Sequence, residues 1–137
     1  FRYGEILLNA AEAYNEAEGP AKAYSYINEV RARAGMPAYA DMSQSELRER
    51  IRNERRIELA FEDHRFWDIR CWLIADDEGV MKGAMYGLQL SAVTGAPGKV
   101  HYKPYVFENR LWSDRSYLHP IKQTEIDKGY MLQNPGW

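Results

Sequence analysis

The chain has 137 residues, enough for one domain with a real core or for part of a larger one. A net charge of −2, from 18 basic and 20 acidic residues, provides no basic field for a nucleic acid. One cysteine excludes an internal disulfide, no run of about 18 apolar residues is present to span a membrane, and aromatic residues are abundant at 13%.

The opening FRYGEILLNAAEAY has neither a capping residue nor the apolar core and small-residue cleavage site of a signal peptide. A piece of a longer polypeptide is therefore expected. The first helix is predicted from about Arg2 to Glu18, with Tyr3, Leu7, Ala10, Ala11 and Tyr14 on one face. Gly19 breaks it, and Pro20 suits the first position of a second helix. That helix carries Ala23, Ile27, Val30 and Ala34 and stops at Gly35, with Pro37 just beyond. Leu7, Ala10, Ala11, Tyr14, Ala23 and Ile27 fit the tetratricopeptide frame without an insertion, although its usual Trp, Leu and Phe are replaced. A generic helical hairpin is the alternative, since one repeat is visible and a solenoid needs several. In the repeat reading Tyr3, Leu7 and Tyr14 belong to an interface with a neighbouring repeat, exposed here or covered by a second copy.

Ser43-Gln-Ser-Glu46 makes a capping box for a third helix running to about Glu62. Between Glu46 and Arg70 lie seven acids and seven arginines, yet Leu47, Ile51, Ile57 and Phe61 recur at helical spacing. Glu54 and Glu58 fall within that apolar stripe. A carboxylate stranded on a core face costs several kcal/mol, so a buried ion network is expected. Arg65 and Arg70 on the following helix are the first choice of partner, because guanidinium can hold two carboxylate oxygens in a fork. Read as catalytic, Glu54, Glu58, Glu62 and Asp68 lack the arrangement of two acids facing each other across a cleft, since Glu54 and Glu58 are one turn apart on one helix. Asp63-His64 turns the chain, and Arg65 to Ala75 is predicted as a short fourth helix in which Cys71 is a buried, inert thiol.

From Asp76 to Lys99 the punctuation by Gly79, Gly83, Gly87, Gly95, Pro97 and Gly98 predicts short pieces. Leu88 and Leu90 alternate with polar residues and HYKPYVF is rich in strand formers, which predicts a strand, a glycine-rich turn and a returning strand. After Trp112 an extended segment and a short helical turn over Thr124 to Lys128 lead to Gln133-Asn-Pro-Gly-Trp137. The fold class is mainly α, with tetratricopeptide-like helical hairpins, a small β-hairpin and an extended C-terminal segment. It divides into the hairpin of residues 1–35, the helices of 43–75 and the β-hairpin and loops of 76–137.

His64, His101 and His119 show no metal-ligand spacing, no serine sits in a nucleophile elbow, and the glycines do not form a phosphate loop. No metal or cofactor is expected. The best candidate for ligand contact is the aromatic-rich segment from Tyr102 to Tyr117. Sugar rings present C–H faces that stack on aromatic planes, and their hydroxyls need planar polar partners. Tyr105, Asn109, Arg110 and Trp112 offer both within one predicted loop. The alternative is that these residues fill a core.

Four blocks, RYGEILLNAAEAYNEA, YINEVRARAGMP, IRNERRIELAFEDHRFWDIRCW and YLHPIKQTEIDKGYMLQNPGW, together resemble the C-terminal domain of the SusD/RagB family. They stand in that family's order and cover nearly all the chain outside roughly residues 73–116. Asp63 replaces a frequent Gly and Cys71 a usual Arg. The resemblance implies a non-enzymatic surface lipoprotein of bacteria that binds oligosaccharides or other nutrients at the extracellular face of the outer membrane. It also implies a TonB-dependent transporter as partner, and a lipid anchor on an N-terminal cysteine that Cys71 is not. The resemblance also implies that most glycan contacts come from upstream of the Tyr102 to Tyr117 segment. Two competing readings are a helical-repeat module that binds other proteins, and, from carboxylate count alone, a glycosidase.

Overall fold

A computed structural model describes residues 2–95 and 98–137; Phe1 and Ala96-Pro97, including the Pro97 that marks the glycine-rich stretch, lie outside the described residues. The chain divides into two compact units, Phe1–Trp67 and Asp68–Trp137.

The first unit is three helices. α1 (Tyr3–Glu18) and α2 (Pro20–Arg33) form a hairpin that turns at Gly19, whose φ of 86° is the left-handed conformation glycine adopts without strain. Pro20 starts α2, where its missing N–H is no loss. α3 (Gln44–Glu58) begins with the capping box: the Ser43 side chain accepts from the Glu46 N–H, and the Glu46 carboxylate accepts from the Ser43 N–H. It packs mainly on α1. Leu7, Leu8, Ala11, Ala23, Ile27, Val30, Leu47, Ile51 and Leu59 form one buried cluster, with Tyr14, Tyr24, Tyr26, Tyr39 and Met42 packed around it.

The segment between α2 and α3 has no regular structure, and side chains from α2 hold it. Asn28 bonds both backbone groups of Tyr39, and the Tyr24 hydroxyl both accepts from the Met42 N–H and donates to its carbonyl. The tetratricopeptide frame is largely reproduced, with Leu7, Ala11, Ala23 and Ile27 buried and Tyr14 stacked at 5.2 Å on Tyr26. Leu7 and Tyr14 thus contribute to this unit's own packing. On α1, Tyr3 and Ile6 are the exposed large apolar residues.

Two sequence expectations for α3 fail. The helix ends at Glu58, four residues early, and Phe61 and Asp63 adopt positive φ of 65° and 63°. Phe61 is therefore swung off any helical stripe and is fully exposed. Ile57 is also exposed, because at about 100° per residue it stands roughly 120° round the helix from Ile51. The buried face of α3 consists of Leu47, Ile51, Glu54 and Arg55.

α4 (His64–Cys71) is shorter than predicted and buries Asp68 and Ile69. Cys71 is exposed, contrary to expectation: it lies about 200° from Ile69 and so on the opposite side of the helix.

In the second unit β1 (Gly83–Ala92) and β2 (Val100–Arg110) form the predicted hairpin, antiparallel, with a register shift at Met85/Tyr86. A 3-10 turn covers Asp114–Tyr117, in place of the fully extended segment predicted there, and α5 (Gln123–Ile126) supplies the short helical turn. The chain's last residues are tied back. The Trp137 indole N–H donates to the carbonyls of Arg115 and Leu118, with the Arg115 guanidinium 4.8 Å from its ring. Gln133 bonds both backbone groups of Ile121. No helix among the described residues is long and apolar enough to cross a membrane.

Candidate functional site

Both carboxylates singled out on α3 are engaged by arginine. Glu54 is buried and lies 2.8 Å from the equally buried Arg31 of α2. Arg31 also donates to the Pro37 carbonyl at 2.6 Å and stacks 3.7 Å above the Tyr39 ring. One guanidinium thus joins α2, the following connection and α3. Glu58 keeps 12% of its side chain exposed and meets Arg2 at 2.9 Å and Arg33 at 2.5 Å, while Arg2 also donates to the Glu58 carbonyl and to Glu62. Gly4 makes room for this approach, since a Cβ there would lie 3.3 Å from the Glu58 carboxylate.

The described partners of Glu54 and Glu58 therefore come from α2 and the start of α1, whereas the sequence reading looked to α4. Arg65 is half-buried in the first turn of α4. Arg70 places its guanidinium 5.2 Å from the Trp112 ring in the second unit, and its burial pulls its pKa below the ordinary range. Sequence reasoning missed Arg31, although the signal was present: it follows Ile27 by four residues and lies on the stripe of α2. The face test applied to Glu54 finds it equally well. A second buried acid, Glu5 on α1, has the His64 imidazole at 3.8 Å.

The four candidate ligand residues do not share a loop. Tyr105, Asn109 and Arg110 lie on β2, opposite Gly87, Ala84 and Gly83. Partners across an antiparallel pair share a face and successive residues alternate, so Asn109 points to the face opposite Arg110. The Tyr105 ring lies over Gly87, where a Cβ would meet it at 3.2 Å, and remains 48% exposed. Arg110 donates to Glu108 at 2.9 Å on the same strand.

Trp112 follows the strand and is half-buried. It packs edge-on against Tyr117 at 5.1 Å, and its indole N–H is buried without a hydrogen-bond partner. The Tyr117 hydroxyl donates to Asp76, which holds that carboxyl below its usual range; burial and then this bond raise Tyr117. Tyr105 and Asn109 are exposed and Arg110 is half-buried. Tyr105 and Arg110 share one face of the hairpin, whereas Trp112 is packed into an aromatic and guanidinium cluster. Among the described residues no group of three or more His, Cys, Asp or Glu is placed to hold a metal ion.

A sequence model of the SusD family matches residues 1–137. SusD-like protein P2 of Formosa agariphila is 33% identical over 147 residues, covering 99% of this chain and 25% of its own length. SusD-like protein P25 of the same organism is 44% identical over 85 residues, 56% of this chain and 15% of its own. The crystal structure of a SusD-like protein from Bacteroides fragilis matches with a TM-score of 0.85 at 36% identity, covering 100% of this chain and 25% of that one. The chain spans about a quarter of the length of these relatives or less.

Proposed function

This chain belongs to the SusD family, and we propose that it forms part of a nutrient-binding protein at the extracellular face of a bacterial outer membrane. The proposed ligand is an oligosaccharide or a comparable nutrient, and the proposed partner is a TonB-dependent transporter. The observation that carries this reading is the family match over the whole chain, supported by a fold shared at a TM-score of 0.85.

The role is one of binding, with no cofactor. Glu54 and Glu58, the acids nearest to a catalytic pair in sequence, each bond guanidinium groups from their own unit, which gives them a structural role. Of Tyr105, Asn109, Arg110 and Trp112, we assign ligand contact within this chain first to Tyr105 and Arg110. An exposed aromatic ring stacks on a sugar face and a guanidinium bonds its hydroxyls. Exposed Tyr3 and Ile6 on α1 favour a second, compatible reading, a protein contact on the hairpin's outer face.

Calorimetry with a panel of oligosaccharides on the full-length protein tests the proposal. Binding is expected, with a fall in affinity of about tenfold, or about 1.4 kcal/mol, on Tyr105→Ala. Binding unchanged by Tyr105→Ala and Arg110→Ala would remove the site from this chain. The absence of any saccharide binding would remove the carbohydrate reading itself.

A further inference from the structure

The register of the β-hairpin sorts its side chains into two unlike faces. Tyr86 pairs with Val106, Leu88 with Pro104, Leu90 with Tyr102 and Ala92 with Val100, so these eight share one face. All eight are apolar or aromatic. The intervening pairs are Gly87 with Tyr105, Gln89 with Lys103 and Ser91 with His101, and they make the opposite face polar apart from the Tyr105 ring and the Phe107 ring, which also lies over Gly87. The apolar face is uncovered: Tyr86, Leu88, Leu90, Val100, Tyr102 and Val106 are 42–69% exposed. A two-stranded ribbon is marginal alone in water and gains its stability from something packed on its apolar side.

The occupant approaches face-on. Proline is tolerated in a strand with its nitrogen turned to the outside, and Pro104 leaves the outer edge of β2 short of a donor, which blunts it against an added strand. Area decides between a second copy and a tethered segment. Seven residues at about 3.3 Å each, on two strands together about 10 Å wide, make a face of roughly 200–300 Å². A stable interface between separate proteins buries about 800 Å² on each partner. A segment of the same polypeptide avoids the entropy of association and holds on a smaller face. The solved relative carries about three quarters of its length outside the matched region, so such a segment is at hand.

We propose that the face formed by Tyr86, Leu88, Leu90, Ala92, Val100, Tyr102, Pro104 and Val106 is the seat of an apolar helix or sheet surface from the rest of the full-length polypeptide. The ribbon is then an internal clasp, and its polar face, with Tyr105, remains toward solvent.

Tyrosine nitration of the full-length protein, read by peptide mass spectrometry at a concentration where it is monomeric, tests this. Tyr86 and Tyr102 are expected to react at least tenfold more slowly than Tyr105, their neighbour on the other face. Leu90→Lys in the same protein is expected to lower Tm by several degrees. Equal reactivity of the three tyrosines overturns the proposal. So does protection that disappears on dilution, which would assign the face to a second copy, or protection that requires added vesicles or a separate protein. The nitration contrast needs no variant, so it stands even if Leu90→Lys fails to fold.

Discussion

Replacing Glu54 with alanine is expected to lower unfolding stability by about 3–5 kcal/mol, because it leaves a buried guanidinium without its carboxylate. Arg31 would keep the Pro37 carbonyl and the Tyr39 ring, but neither is an anion. With native stabilities of about 5–15 kcal/mol, that loss is a large fraction of the whole. Denaturant unfolding checks it through a fall in midpoint at constant slope. Pairing Arg31→Met with Glu54→Leu should restore much of the loss, since apolar groups of similar volume satisfy the site without a charge. Glu58→Ala should cost clearly less. Its partners Arg2 and Arg33 are 38% and 61% exposed at the side chain and return to water when released. Equal losses from the two glutamates would show that burial is not what separates them.

Leu8→Ala is expected to destabilise by about 2–5 kcal/mol, whereas Phe61→Ala in the same chain should stay within about 0.5 kcal/mol. Leu8 has no exposed surface and sits in the single core cluster of the three helices, so truncation leaves a cavity. Phe61 is the larger residue and carries the stronger apolar signal in the sequence, yet it touches solvent all round. Its positive φ adds a second expectation. Phe61→Gly should be neutral or stabilising, because glycine adopts that conformation without the roughly 1–2 kcal/mol cost of a Cβ. A Phe61→Ala loss comparable to that of Leu8→Ala would mean that the turn after α3 is packed against something.

The pairing of arginines with glutamates shows where reading by periodicity stops. That Glu54 would be buried and paired followed from its place on α3 relative to Leu47 and Ile51, a matter of angle round one helix. That its partner would be Arg31, 23 residues back, depended on how α2 lies beside α3. Arg2 and Glu58, 56 residues apart, meet only because α1 and α3 pack side by side. The preference for Arg65 and Arg70 weighted nearness in sequence, and the packing of three helices sets nearness in space differently.

The β-hairpin divides in the same way. Alternation in Leu88 and Leu90 exposed β1, but Tyr102 and Tyr105 place aromatics at both parities of β2 and hide its two faces. The pairing of Leu90 with Tyr102, and the shift at Met85/Tyr86, sort them. For the same reason Asn109 parts from Tyr105 and Arg110, which a loop reading had grouped.

The sequence by itself determined the elements with local causes. These are the capping box at Ser43 and Glu46, the glycine turn at Gly19, the proline start at Pro20, the tetratricopeptide spacing of Leu7, Ala11, Ala23 and Ile27, and the blocks that carry the family. Each rests on residues within a few positions of one another, where backbone geometry leaves few choices. Only the tertiary structure decided which charges meet, where α3 stops, that Cys71 faces outward and which face of the ribbon is apolar. Those depend on contacts between residues far apart in the chain, and on a strand register in which a shift of one residue exchanges the two faces.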